Sequence, residues 1–219
     1  MNTLTKMALG LIGQLKDRAP HGESTARVSL PPPRTTGGMP LMDALKARQS
    51  QRAFETTPLA MQTLSDLLWA AGGINRAEPG GRTAPSALNA QEIDIHVALP
   101  AGLYRYEPVE HAMHLEVARD LRRITGYQDF TDDAALDLVF VADHGRMKLV
   151  PAAQREAYAC TAVGAIAQNV YLYCASAGLA TVIRGWIDRE ALARAMGLEP
   201  DRHVLLAQTV GLPLAGATG

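Results

Sequence analysis

GLYRYEPVEHAMHLEV, from Gly102 to Val117, holds two short runs joined by a tight connection. Leu103, Tyr104 and Tyr106 lie on the first run, and Met113, Leu115 and Val117 on the second. The intervening EPVE brings a proline and two charges, the composition of a turn. Two β-prone runs this close together can pair only antiparallel, because a parallel crossover needs a dozen or more residues. Helices and strands intermix elsewhere in the chain, but the hairpin excludes a doubly wound parallel sheet. The fold class is therefore α+β.

The remaining elements follow outward from the hairpin. EIDIHVAL alternates Ile93, Ile95, Val97 and Leu99 with Asp94, His96 and Ala98, the pattern of a strand with one buried face. ALDLVFVAD is almost continuously apolar, as in a strand buried on both faces. LATVIRGWI and HVLLAQTVGLP add two more strands. Short helices are predicted at MPLMDALKARQ, at PLAMQTLSDLLWAAGG, and at DREALARAMG, the last capped by Asp188 and stopped by Gly197. A long helix is predicted from about Pro151 to Ala177, ended by Gly178. From Val163 to Leu179 it is apolar nearly all round, but Gln168 and Asn169 argue for a core helix covered by a second subunit, not a membrane span.

The 219 residues suggest about one domain, and the net charge of -1 lacks the basic footprint of a nucleic-acid binder. Residues 1–39 read as a short amphipathic helix, with Leu4, Met7, Ala8, Leu11 and Leu15 on one face, followed by an extended arm containing LPPPRTTGG. Residues 40–219 form the main domain. The apolar run near the N-terminus is too short and interrupted for a signal peptide, so an uncleaved cytoplasmic protein is expected, with no membrane partner. Cys160 and Cys174 read as two buried small apolar residues, too far apart on one helix to bridge.

Two loops carry candidate chemistry. In RQSQRAF, Arg48, Ser50 and Arg52 would line one face of an extended chain. Two guanidinium forks and a hydroxyl suit a phosphate or a planar acceptor. Equally, Arg48 could complement a helix C-terminus and Arg52 could be a solvated charge. In RTAPSALNAQE, Pro85 and Ser86 mark a turn, and Asn89 and Gln91 offer amides suited to a ring with mixed donor and acceptor edges, or to ordinary turn hydrogen bonds. No dinucleotide fingerprint or P-loop is present. His111 and His114 lack a third ligand and read as surface residues; His144 reads as structural.

In their order along residues 40 to 213, these segments closely resemble the nitroreductase family of flavin-dependent oxidoreductases. GLYRYEP and RTAPSA resemble the branch that includes the azoline peptide dehydrogenases. The resemblance implies a nitroreductase-like fold, with a central, mostly antiparallel sheet flanked by helices, in an intertwined homodimer. FMN would sit at the subunit interface, with NADH or NADPH as electron donor and a small molecule such as a nitroaromatic or quinone as acceptor. Arg48, Gln49 and Ser50 match positions around the flavin phosphate and ribityl chain, and Arg52 matches the basic residue near the pyrimidine edge. Pro85, Ser86 and Asn89 match the loop against the ring, and Arg184 and Gly185 the turn near its reactive side. No side chain is required as a catalytic acid or base. The chain departs from the pattern by ending in GLPLAGATG, which has no basic residue to complete the phosphate site, and by placing a cation at Arg184 where an acid is common. The family branch also implies an alternative, oxidation of a heterocycle in a modified peptide; a third is a non-catalytic flavin-binding dimer.

Overall fold

The computed structural model describes residues 26–78 and 80–216. The helix expected near the N-terminus lies outside these residues. Among the described residues nine strands form in chain order: β1 (Arg27–Ser29), β2 (Ile74–Arg76), β3 (Gly81–Arg82), β4 (Ile93–Leu99), β5 (Gly102–Glu107), β6 (Ala112–Val117), β7 (Leu136–Asp143), β8 (Ala180–Arg184) and β9 (Arg202–Gly211). The helices are α1 (Leu41–Ala47), α2 (Met61–Gly72), α3 (Ala152–Ala177) and α4 (Arg189–Met196).

The hairpin is β5–β6, with Tyr104 opposite Leu115 and Tyr106 opposite Met113. It seeds a seven-stranded sheet of order β1-β6-β5-β4-β7-β9-β8, every neighbour antiparallel. The α+β expectation holds. The β2–β3 pair, within the loop before β4, was not expected from sequence.

The period of each strand decides which layer its side chains enter. Ile95 and Val97 of β4 and Leu136, Leu138 and Phe140 of β7 pack with Leu67 and Leu68 of α2 and Val163 and Val170 of α3. On the other face, Val139, Val141, Val204 and Ala207 meet Leu192 and Met196 of α4. The expectation that β4 has one buried face needs correction: Asp94 and His96 are buried as well. Charge pairing makes that tolerable, since Asp94 accepts from Arg146 and Arg202, each at 2.5 Å. His96 Nε2 lies 2.9 Å from Glu116.

Helix stops follow local chemistry. Gly178 and Gly197 end α3 and α4 at φ +69° and +65°, a conformation that costs other residues a Cβ clash. The Asp188 carboxylate caps α4 by accepting from the Ala191 amide at 2.9 Å. No helix among the described residues is long and apolar enough to cross a membrane.

The described part of the arm wraps the helical face. β1 pairs with β6, Leu30 N donates to His111 O, and the Arg34 amide and guanidinium both donate to the buried carboxylate of Asp66 at 2.8 Å. His111 is accordingly not a surface residue. It bonds Ser65 Oγ through Nε2 at 2.7 Å and Tyr106 OH through Nδ1 at 3.0 Å, with Ser65 Oγ donating to Pro31 O. His114 does stay near the surface, beside Glu110. His144 is stacked on His203, with ring centroids 4.5 Å apart. Cys174 is buried as expected; Cys160 is exposed, because it lies on the side of α3 turned away from the sheet.

Candidate functional site

After α1 the chain from Arg48 to Phe54 runs along the outer edge of β8. The Gln51 amide donates to Thr181 O at 3.0 Å, and Phe54 bridges to Pro213. An open strand edge presents unpaired N–H and C=O groups, and this segment takes up part of them. Tyr171 of α3 takes another: its hydroxyl accepts from the Ile183 amide of β8 at 3.0 Å.

Tyr171 also gathers the arginine motif. Its hydroxyl is 2.7 Å from Ser50 Oγ, and the Arg48 guanidinium carbon lies 5.2 Å from its ring centroid. Arg48 and Ser50 thus share one side, as their spacing suggested. A tyrosine that accepts from Ile183 can direct its own proton to Ser50, leaving the Ser50 proton free for an anionic oxygen. Arg52 is exposed, and Gln49 lines a small cavity with Gln51, Tyr171 and Thr181. Neither Arg48 nor Arg52 makes an ion pair among the described residues. Sequence reasoning missed Tyr171; a tyrosine inside the apolar run of α3 is the only local sign of it.

The second loop is built differently. Leu88, Asn89 and Gln91 all adopt positive φ, between 50° and 55°. The Gln91 side chain holds this turn: it donates to Gly80 O at 2.8 Å and Asn89 Oδ1 at 3.2 Å, and accepts from Arg82 Nε at 3.0 Å. The Gln91 amide donates to Ser86 Oγ. Asn89 is left with a free amide N–H pair, and Pro85 is exposed. The loop reaches α3 through Asn169, whose Nδ2 donates to Thr83 O at 3.2 Å. Asn169 and Tyr171 are two residues apart, or roughly 200° around the helix. Within one chain the arginine motif and the Asn89 loop therefore stand on opposite flanks of α3. Between those flanks runs the exposed stripe of α3: Ala157, Thr161, Gly164 and Gln168.

The third element corrects an expectation. Arg184 does not present its cation to a ligand. Its side chain is buried and donates to Asp137 Oδ1 at 2.7 Å, Thr209 Oγ1, Thr125 O and Thr125 Oγ1, each at 2.9 Å, and Gln128 Oε1 at 3.3 Å. Burial pushes the Asp137 carboxyl up, and the Arg184 charge and the two threonine hydroxyls oppose that rise. What Arg184 leaves at the site is backbone. Thr181 O and Ile183 N both point outward from β8, so by the two-residue alternation the exposed Gly185 amide is directed to the same edge.

Two guanidinium groups without an ion pair among the described residues, the Ser50 hydroxyl and an outward amide at one sheet edge, with a rigid amide-bearing loop across α3, make a candidate site for an anion on an α+β scaffold. The chain belongs to the nitroreductase family, whose model matches residues 45–212, and is thereby an oxidoreductase. A candidate nitroreductase of Methanocaldococcus jannaschii is 34% identical over 155 residues, covering 66% of this chain and 78% of that protein. The crystal structure of a candidate nitroreductase from Ralstonia eutropha JMP134 superimposes with a TM-score of 0.84 at 53% identity, covering 92% of this chain and 96% of that one. The NADPH:FMN oxidoreductase of Vibrio harveyi, solved with NAD+, shares the fold at a TM-score of 0.59 and 20% identity, over 79% of this chain and 68% of that one.

Proposed function

We propose that the protein is an FMN-dependent oxidoreductase that works as a homodimer and transfers electrons from NADH or NADPH to a nitroaromatic or quinone. The observation that carries this reading is the family match together with two arginines, Arg48 and Arg52, that pair with no carboxylate among the described residues. The donor set fits FMN. Arg48 and Ser50 suit a phosphate, Arg52 suits the electron-rich edge of a reduced ring, and the Asn89 amide and Gly185 N–H suit ring acceptors. FMN, when bound, supplies the ping-pong hydride chemistry.

The chain's own part is position and charge. Tyr171 fixes Ser50 and Arg48, Gln91 fixes Asn89, and Arg184 fixes the backbone that carries Gly185. The two flanks of α3 supply complementary halves of one site. A second copy packed along the exposed stripe would bring the Asn89 loop of one subunit toward the arginine motif of the other, which supports one FMN at each interface.

An absorbance spectrum of the purified protein, taken before and after anaerobic addition of NADH and of NADPH, tests the reading. Bound flavin that bleaches is the expected result, and the faster donor identifies the preferred one. Flavin that persists would shift the assignment to oxidation of a heterocycle in a modified peptide. A protein that takes up no flavin from added FMN would sink the proposal. Arg52→Ala should slow the bleaching; unchanged kinetics would remove Arg52 from its role.

A further inference from the structure

Next to Gly185 stands a pair of aromatic side chains to which nothing above assigns a role. Trp186 is 70% exposed and Tyr127 52% exposed. Their ring centroids are 5.3 Å apart at an interplanar angle of 47°. Exposed aromatics of this size usually mark a binding surface when they are contiguous and held in place.

These two are held in place. The Tyr127 amide donates to Trp186 O at 3.4 Å. Arg184, from the buried interior, fastens residues on both sides of Tyr127 by donating to Thr125 and Gln128. Gly126 lets the loop pass close to that guanidinium, for a Cβ there would lie 2.0 Å from Arg184 Nη1. On the other side of Trp186, Ile187 is buried in the second core. The loop and the turn are thus joined by the core, and the rings are displayed at the junction.

The chemistry of the pair specifies its ligand. Both residues are largely exposed, so ring surface, the Trp186 indole N–H and the Tyr127 hydroxyl are open to a ligand in exchange for water. A planar ring bearing acceptor oxygens satisfies the faces and the donors together; an aliphatic chain satisfies neither donor.

We propose that Tyr127 and Trp186 form an aromatic platform that binds the planar, oxygen-bearing acceptor beside Gly185 and sets the enzyme's preference for aromatic substrates. This rests on the oxidoreductase reading for its place in the reaction, but not for the binding itself. Binding should therefore be read separately from turnover.

The experiment uses full-length protein loaded with FMN, alongside Trp186→Leu and Tyr127→Leu, positions exposed enough for folding to persist. Indole fluorescence is titrated with 4-nitrobenzoate. Saturable quenching is expected, lost in Trp186→Leu, where Trp69 is the indole left, and weakened about three- to tenfold in Tyr127→Leu. In turnover, the ratio of kcat/KM for 1,4-benzoquinone to that for ferricyanide, which has no aromatic ring, should fall about tenfold in Trp186→Leu, through KM. Trp186-dependent quenching in a protein that turns over no acceptor would sustain the platform and sink the proposed FMN-dependent transfer to nitroaromatics or quinones. Quenching that survives in Trp186→Leu, a selectivity ratio that does not move, or a Trp186→Leu protein that sediments as a monomer while the unaltered protein is a dimer would each overturn the platform, the last by making Trp186 a subunit contact.

Discussion

Replacing Arg184 by Met tests whether the buried ion pair holds the Gly185 turn. The change removes five donated hydrogen bonds and leaves Asp137, whose side chain is fully buried, without its counter-charge. Breaking one partner of a buried pair costs about 3–5 kcal/mol, because the remaining charge is desolvated and uncompensated. The cost should depend on pH in a definite direction. Without Arg184, burial, which raises the Asp137 carboxyl, is opposed only by the Thr125 and Thr209 hydroxyls, so the carboxyl rises further. The folded variant then binds a proton that the unfolded chain, with an aspartate pKa of about 3.9, has released. Stability therefore falls as pH rises above about 4, by up to about 1.4 kcal/mol per pH unit, until the folded group also ionises. Urea unfolding followed by circular dichroism at pH 4.5 and pH 7.5, at one protein concentration, measures this. Adding Asp137→Leu should recover part of the loss, with a coupling of about 0.5–3 kcal/mol, limited by the orphaned Thr209 hydroxyl, while the Thr125 hydroxyl keeps Arg122 O as acceptor. A cost below about 1 kcal/mol at pH 7.5, or one that is the same at both pH values, would refute the reasoning.

Gly126→Ala should destabilise by roughly 1–3 kcal/mol in thermal or urea unfolding and loosen the Tyr127 loop, because its Cβ must displace both Arg184 Nη1 and Gln128 Oε1; a neutral effect would mean that the loop relaxes freely. Glu92 is fully buried with neither carboxylate oxygen hydrogen-bonded, and burial pushes its carboxyl up. Glu92→Gln should therefore gain stability over the unaltered protein as pH rises through the interval between the unfolded and folded carboxyl values, and a variant equally stable or weaker at pH 7.5 would contradict that. Glu116 behaves in the opposite sense. Burial would raise it, but the His96 hydrogen bond and the charges of His96, Arg105 and Arg202 bring it down to about 2. Its contribution, on the order of 3 kcal/mol above pH 5, should disappear as pH falls from about 4.5 toward 2, and Glu116→Gln should flatten the acid limb of the stability profile.

Much of the fold was legible because its signals are local. The turn in GLYRYEPVEHAMHLEV, the continuous apolar run of β7, the cap at Asp188 and the glycine stops at 178 and 197 each act within a few residues. The described part of the arm was legible only as extended chain. Its attachment depends on Asp66 and His111, which are 32 residues from Arg34 and 81 from Leu30, and neither carries a pattern that points there. The one-sided reading of β4 failed for a related reason. Asp94 and His96 have the hydropathy of a solvated face, and partners such as Arg146, Arg202 and Glu116, from three other parts of the chain, offset the cost of burial.

The site divides along the same line, and the three arginines show why. Arg48, Arg52 and Arg184 are indistinguishable as residue types, and a resemblance places all three at one cofactor. What separates them is whether the fold brings a carboxylate to each. Asp137 is 47 residues from Arg184 in sequence but shares its face of the sheet, through the register that sets Asp137 opposite Thr209 and Thr209 opposite Val182. That pairing removes Arg184 from the ligand's electrostatics and turns it into a fastening for the Gly185 backbone. Among the described residues no carboxylate pairs with Arg48 or Arg52. Their positive charge stays unneutralised beside an edge strand, where an anion lowers the free energy of the assembly more than a neutral ligand could. A carboxylate introduced next to that edge, as in Gln51→Glu, should then weaken FMN retention through charge alone, while Gln51→Ala should not. Equal retention by the two variants, measured as the flavin-to-protein absorbance ratio after gel filtration, would show that the unpaired arginines do not hold the cofactor.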